Sequence, residues 1–300
     1  MMQPRRAIFI HIAKTAGTSL TAELRHHYGN AGCATHGDHD VELNLETLEH
    51  GFFQNKEMIS RYAGLPFISG HFGFNFCEQF MADRYAFTFL RNPAERLISQ
   101  YYFSKHRNDV RFALSRMAQD VSFDAVLDMA CEETHWLRHW LWNHQVWLLA
   151  HGNYAYVPKT LNDFTEDELL RLAKSNVERL SYVGFVETFQ EDKENILEAL
   201  GIATMRVHEP VNRTGKRPKL EDLPIATKKR LAKLTELDDE LYRYLYTRDK
   251  RGFNALRPKT LKKRIAREYA KGMNIITKTL PTYRHETVAK MERLPWHVSY

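Results

Sequence analysis

Lys14, Gly17, Thr18 and Ser19 fall close together in AIFIHIAKTAGTSL, Ala7 to Leu20, where an apolar, β-branched run passes through a small loop into a helix start. That arrangement suits a phosphate. Ala16 and Gly17 let the backbone approach a ligand, Thr18 and Ser19 are good helix N-caps, first-turn amides favour anions, and Lys14 adds a positive charge. A Walker A loop needs two glycines five positions apart with Lys and Ser or Thr directly after the second. Here Lys14 precedes Gly17, so the loop must hold phosphate in another way. A second anion site is expected in FTFLRNPAERLISQYYF, Phe87 to Phe103, where Arg91 stands at a strand end and Ser99 lies two helical turns on. Arg91 offers a planar fork and Ser99 a hydroxyl donor, with Arg96, Leu97, Tyr101 and Tyr102 as packing. A structural ion pair is the other reading of Arg91 taken alone.

The elements that must position these residues have an α/β rhythm. Strands are expected at Ala7 to Ile12, Leu65 to Ser69, Tyr85 to Leu90 and Ser181 to Val186. Helices are expected from about Thr18 to Tyr28, after Pro93, within the tryptophan-rich Ser122 to Ala150, and from Thr188 to Leu200. Strands separated by helices imply a parallel sheet, whose ligands sit at the strands' carboxyl ends. His11 to Gly17, Gly70-His71 and Arg91 would all emerge there. Leu231, Leu234, Leu237, Leu241 and Leu245 recur at spacings of three and four, which predicts an amphipathic helix. The polar stretch 29–65 reads as a variable excursion with one short helix. Trp136, Trp140, Trp142 and Trp147 suit core packing better than a sugar-stacking platform.

Three hundred residues, 43% hydrophobic, can bury a full core. No apolar run approaches the roughly 20 residues that span a bilayer, and no signal-peptide pattern precedes the first strand. The three cysteines, Cys33, Cys77 and Cys131, form no CxxC pair, which suits a reducing compartment. A cytoplasmic protein is expected. Residues 255–300 hold eleven Lys and Arg against three Asp and Glu, a net of +8, so the rest of the chain nets −2. That segment reads first as a solvated, partly helical tail; it could also touch an anionic membrane surface, while nucleic acid is not expected as a partner. Cys33, His36, His39 and Asp40 share one polar loop without a second ligand pair at zinc spacing, so no metal is expected.

HIAKTAGTSL resembles the HIPKTGGTS signature of carbohydrate sulfotransferases that use 3′-phosphoadenosine 5′-phosphosulfate (PAPS), with Ala13 where proline is usual. RNPAERLISQYYF resembles the companion RDPxxRxxSxYxF pattern, and SGHFGF, Ser69 to Phe74, resembles the Gly-His element of the uronyl and heparan sulfate 2-O-sulfotransferase branch. YVGFVETFQEDKENILEALGI, Tyr182 to Ile202, and VNRTGKRPK, Val211 to Lys219, look like later blocks of the same family.

The resemblance implies a P-loop-NTPase-like parallel β-sheet flanked by helices over residues 1–254, with 29–65 as a variable insertion; residues 29–65 and 255–300 carry no resemblance, and the latter read by composition as a basic, helical C-terminal extension. It implies a donor site in which Lys14, Thr15, Ala16, Gly17, Thr18 and Ser19 meet the 5′-phosphosulfate and Arg91 and Ser99 the 3′-phosphate. Lys216 either closes over that phosphate or is a solvated loop lysine. His71 takes the general-base role, with Lys14 stabilising the leaving oxygen and no metal required. Lys105 and Arg111 stand where the branch carries arginines that touch substrate acids. Lys105 departs from arginine, which weakens the case for a uronic acid and leaves other anionic or neutral glycan acceptors open. Two other readings compete. A nucleotide-dependent kinase lacks the Walker lysine position and an obvious carboxylate for magnesium, and a non-catalytic nucleotide- or glycan-binding module would not need Lys14, His71, Arg91 and Ser99 together.

Overall fold

Five parallel strands, β1 (Ala7–Ile10), β2 (Cys33–Ala34), β3 (Phe67–Gly70), β4 (Tyr85–Leu90) and β5 (Tyr182–Phe185), lie in the order β2-β3-β1-β4-β5 in a computed structural model of the chain. The structure describes residues 5–35, 60, 62–107, 113–133, 135–152, 163–203 and 217–247. The helices are α1 (Gly17–Tyr28), α2 (Phe74–Glu78), α3 (Pro93–Arg107), α4 (Ala113–Asp120), α5 (Phe123–Cys131), α6 (Leu137–Leu141) and α7 (His144–Ala150), followed by α8 (Glu166–Val177), α9 (Phe189–Ala199), α10 (Ile225–Leu234) and α11 (Glu236–Thr247).

Every residue of β1 and β4 is buried, which is why these strands read as continuous apolar runs instead of alternating ones. Alternation appears instead in which layer each side chain joins. Ala7, Phe9, Tyr85, Phe87 and Phe89 pack with Leu20 and Leu24 of α1 and Ile196 and Leu197 of α9. Ile8, Ile10, Ala86 and Leu90 pack on the other face with α3, α5, α7, α8, α10 and α11. The result is an α/β/α sandwich with β1 at its centre.

Register fixes which strand ends meet: Ile10 is level with Gly70 of β3 and Thr88 of β4, and Leu90 with Phe185 of β5. The chain leaves β1 towards β2 and β3 on one side and later returns to β4 on the other. The carboxyl ends of β3, β1 and β4 therefore surround the reversal in strand order, where a crevice opens in sheets of this kind.

Several boundaries differ from the sequence reading. β1 stops at Ile10 because His11 and Ile12 already belong to the loop, and β3 spans Phe67–Gly70 where Leu65 to Ser69 was expected. The expected strand Tyr85 to Leu90 is β4. β2, two residues long, pairs with β3 inside the segment read as an excursion; nothing so short carries a periodic signal. The tryptophan-rich segment forms α5, α6 and α7 instead of one helix, the last entered through Asn143 at φ 41°. Trp147 and Trp142 are buried in the core, as expected. The leucine helix breaks at Thr235, whose hydroxyl donates to the Leu231 carbonyl at 2.9 Å and lies 3.1 Å from the Asp239 carboxylate. Residues 36–59 and 255–300 lie outside the described residues, and with them the expected basic tail.

Candidate active site

The loop between β1 and α1 is held from within. The His11 amide donates to Gly70 at 3.0 Å, extending the ladder one residue past β1, and the Thr15 hydroxyl, fully buried, donates to the Ile12 carbonyl at 2.8 Å. Lys14 and Ala16 both adopt left-handed backbone, φ 69° and 63°, a conformation that costs energy in residues with a Cβ and persists only where surroundings impose it. The expected N-caps at Thr18 and Ser19 are not found: α1 starts at Gly17 after Ala16, with no side chain capping it. The left-handed turn at Ala16 brings the helix start forward, putting Thr18 and Ser19 inside the first turn. Amides of Gly17 and Thr18 thus have no acceptor within the helix, and a helix start of this kind favours an anion.

Gly17 is needed for a close approach. A Cβ there would sit 2.1 Å from the imidazole of His11, which is buried and stacked on Phe9 with ring centres 5.2 Å apart. Gly17→Ala must push that ring off its seat. We expect a loss of about 1–3 kcal/mol in stability, the usual cost of overpacking, measurable as a lower urea midpoint.

His71 follows β3 and turns back over the same loop. Its Nδ1 bonds the His11 carbonyl, and the two imidazole rings lie 4.5 Å apart. A carbonyl only accepts, so Nδ1 carries the proton and Nε2 is the basic nitrogen of the neutral ring.

Arg91 follows β4 directly. Its guanidinium donates to the Lys14 carbonyl at 3.2 Å and lies 3.7 Å from the Glu95 carboxylate, which Arg217 also engages at 2.7 Å. The Lys14 ammonium sits 3.5 Å from the centre of the Phe103 ring, with the Arg107 guanidinium 5.7 Å from the same centre. Burial above all, then Arg91, Arg217 and Arg107, push the Lys14 pKa down to about 8. Four cations thus converge on one strand-end crevice. Burial and Arg217 likewise lower the Arg91 pKa, against Glu95 and Glu187. Ser99 is buried on α3, on the stripe it shares with Phe103.

The structure brings together Lys14, Gly17, Thr18, His71 and Arg91, with Thr15 turned inward. It leaves Lys105 apart: two residues beyond Phe103, it is carried round α3 and rests 5.9 Å from the Tyr101 ring centre. Arg107, four residues beyond Phe103, takes the site-facing stripe. Arg111 and Lys216 lie outside the described residues. Of the four residues weighed as a metal loop only Cys33 is described, and no metal-holding cluster of His, Cys, Asp or Glu occurs among the described residues. Among the described residues, no helix is long and apolar enough to cross a membrane.

Sequence reasoning missed Arg217, although it lies in the quoted loop VNRTGKRPK beside Lys216, and Arg107, for which helical spacing from Ser99 and Phe103 was an available signal. It also missed Gln145 and Glu187, which accept from the amides of Arg91 and Asn92 at 3.0 and 2.8 Å. No spacing rule links either to position 91.

No curated protein was found to match the chain. A family model described as the sulfotransferase family matches residues 2–253, which takes in all five strands, the loop with Lys14, His71, Arg91 and the α10–α11 pair. With most of its length matched and this parallel sheet beneath the site, the chain belongs to the sulfotransferase family.

Proposed function

We propose that the chain moves a sulfuryl group from PAPS to a hydroxyl of a carbohydrate acceptor, a glycan, polysaccharide or glycolipid, with His71 as general base and Lys14 beside the leaving oxygen. The observation that carries this reading is the convergence of Lys14, Arg91, Arg107 and Arg217 on an uncapped helix start, with His71 one strand away. A cluster in which burial first, and then repulsion from three arginines, lowers a lysine pKa to about 8 fits a ligand carrying several negative charges. The Gly17 and Thr18 amides and Lys14 would hold the 5′-phosphosulfate, and Arg91, Ser99 and Arg217 the 3′-phosphate. PAPS supplies the sulfuryl group, leaving as adenosine 3′,5′-bisphosphate.

His71 accepts the acceptor hydroxyl's proton at Nε2, its ring fixed by the His11 carbonyl at Nδ1. Lys14 places positive charge where negative charge builds on the departing oxygen. Arg107 on the face of α3 that carries Phe103 favours an anionic acceptor. The 2-O-sulfotransferase branch is the nearest pattern, through SGHFGF at Ser69 to Phe74.

Isothermal titration with adenosine 3′,5′-bisphosphate and with ADP tests the donor site. We expect the 3′-phosphorylated nucleotide to bind more tightly, and Arg91→Ala to weaken it by about 10- to 100-fold, the scale of one or two hydrogen bonds to a charged group. Equal binding of ADP would defeat the assignment.

A further inference from the structure

Arg91 sits at a chain turn, just where the hydrogen-bond ladder of β4 ends, so nothing in the sheet fixes its backbone. The fixing comes from a side chain 54 residues away. Gln145, 1% exposed, accepts from the Arg91 amide at 3.0 Å and donates from its own amide nitrogen to the Arg91 carbonyl at 3.0 Å. One planar amide thus pairs with both backbone groups of one residue, as a neighbouring strand would.

Gln145 is itself locked. Asp238 of α11 accepts from the amides of Gln145 at 3.2 Å and Val146 at 2.7 Å, capping the start of α7. Asn143, just before α7, accepts from the amides of Leu237 at 2.9 Å and Asp238 at 3.1 Å, capping the start of α11. Each helix is capped by the other, and all three side chains are buried. Arg96 of α3 is fully buried and close enough to Asp238 for the two charges to attract, with no hydrogen bond between them.

We propose that Gln145 is a positioning residue for Arg91, holding the backbone from which its guanidinium reaches the 3′-phosphate of the donor nucleotide. The inference rests on the donor-site reading above. The guanidinium end is anchored separately, on the Lys14 carbonyl and Glu95, so loss of Gln145 frees the root of the side chain. It also gives the α7–α11 joint a function: helices far along the chain set the precision of an anion site at the end of β4.

The test is a cycle of variants read as a ratio, the affinity for adenosine 3′,5′-bisphosphate over that for adenosine 5′-phosphate, which differ only in the 3′-phosphate. Because the ratio is taken on folded protein, a general loss of stability does not move it. We expect the wild type to prefer the bisphosphate and Gln145→Leu to reduce that preference about tenfold, adenosine 5′-phosphate binding staying within about twofold. Adding Gln145→Leu to Arg91→Ala should change the ratio no further. An unchanged ratio in Gln145→Leu, or the same loss with and without Arg91, would overturn the proposal. A wild type without any preference would instead defeat the donor-site reading beneath it. Should Gln145→Leu fail to fold, Gln145→Met, close to glutamine in length and flexible enough to refill the space, removes the same donor and acceptor without adding a charge. The same drop in the ratio is then expected, and no drop would overturn the proposal.

Discussion

Replacing His71 with alanine should lower sulfate transfer by about 10²- to 10⁴-fold, the range that general-base catalysis supplies, while adenosine 3′,5′-bisphosphate binds within about twofold of wild type. The separation follows from placement. His71 stands after β3, whereas the groups proposed to hold the nucleotide stand after β1 (Lys14, Gly17 and Thr18), after β4 (Arg91), on α3 (Ser99) and ahead of α10 (Arg217). Its proton inventory suits the task, since the His11 carbonyl can only accept and so keeps Nδ1 protonated and Nε2 basic. Transfer is followed with labelled PAPS and a panel of glycans, and binding by titration. A His71→Ala protein that transfers at the wild-type rate would remove the base from this scheme. Loss of nucleotide affinity in step with rate would make His71 part of the donor pocket instead.

Lys14→Met should cost about 10²- to 10³-fold in kcat, comparable to removing one preorganised donor from a developing oxyanion. The pH profile gives a sharper signature. In the free protein the Lys14 pKa lies at about 8, lowered first by burial and then by Arg91, Arg217 and Arg107. In the proposed scheme the ammonium is the working form, so kcat/KM, which reports the free enzyme, should fall as pH rises through about 8. A bound polyanion reverses the local field and raises the lysine pKa, so the alkaline limb of kcat should lie at higher pH. Lys14→Arg cannot lose its proton in this range and should remove the limb, even if geometry costs it rate. A limb that persists in Lys14→Arg would belong to another group.

How much of this was legible varies with the range of the interaction. β4 was readable because a strand buried on both faces is a continuous apolar run, and Pro93 marked the start of α3. The Lys14 loop was readable because its residues are neighbours in the chain. The helix cap was misread, since Thr18 and Ser19 are good caps by type, but the left-handed turn at Ala16 started α1 at Gly17. Lys105 was preferred by its place in a pattern, whereas helix geometry turns it to Tyr101 and turns Arg107 to Phe103.

By itself the sequence determined the class of fold and picked out the three segments proposed to carry the chemistry, at Lys14, His71 and Arg91. Each is a strand end followed by residues with their own local signature, and local signals survive without coordinates. Only the tertiary structure decided that these ends meet, through the register of Ile10 with Gly70 and Thr88, and that Arg217 and Arg107 complete the charge cluster. It alone paired Gln145 with Arg91 and Asp238 with α7. Such contacts are chosen by packing across the sheet edge and by the demand that buried amides find acceptors, and neither leaves a period or a spacing in the chain.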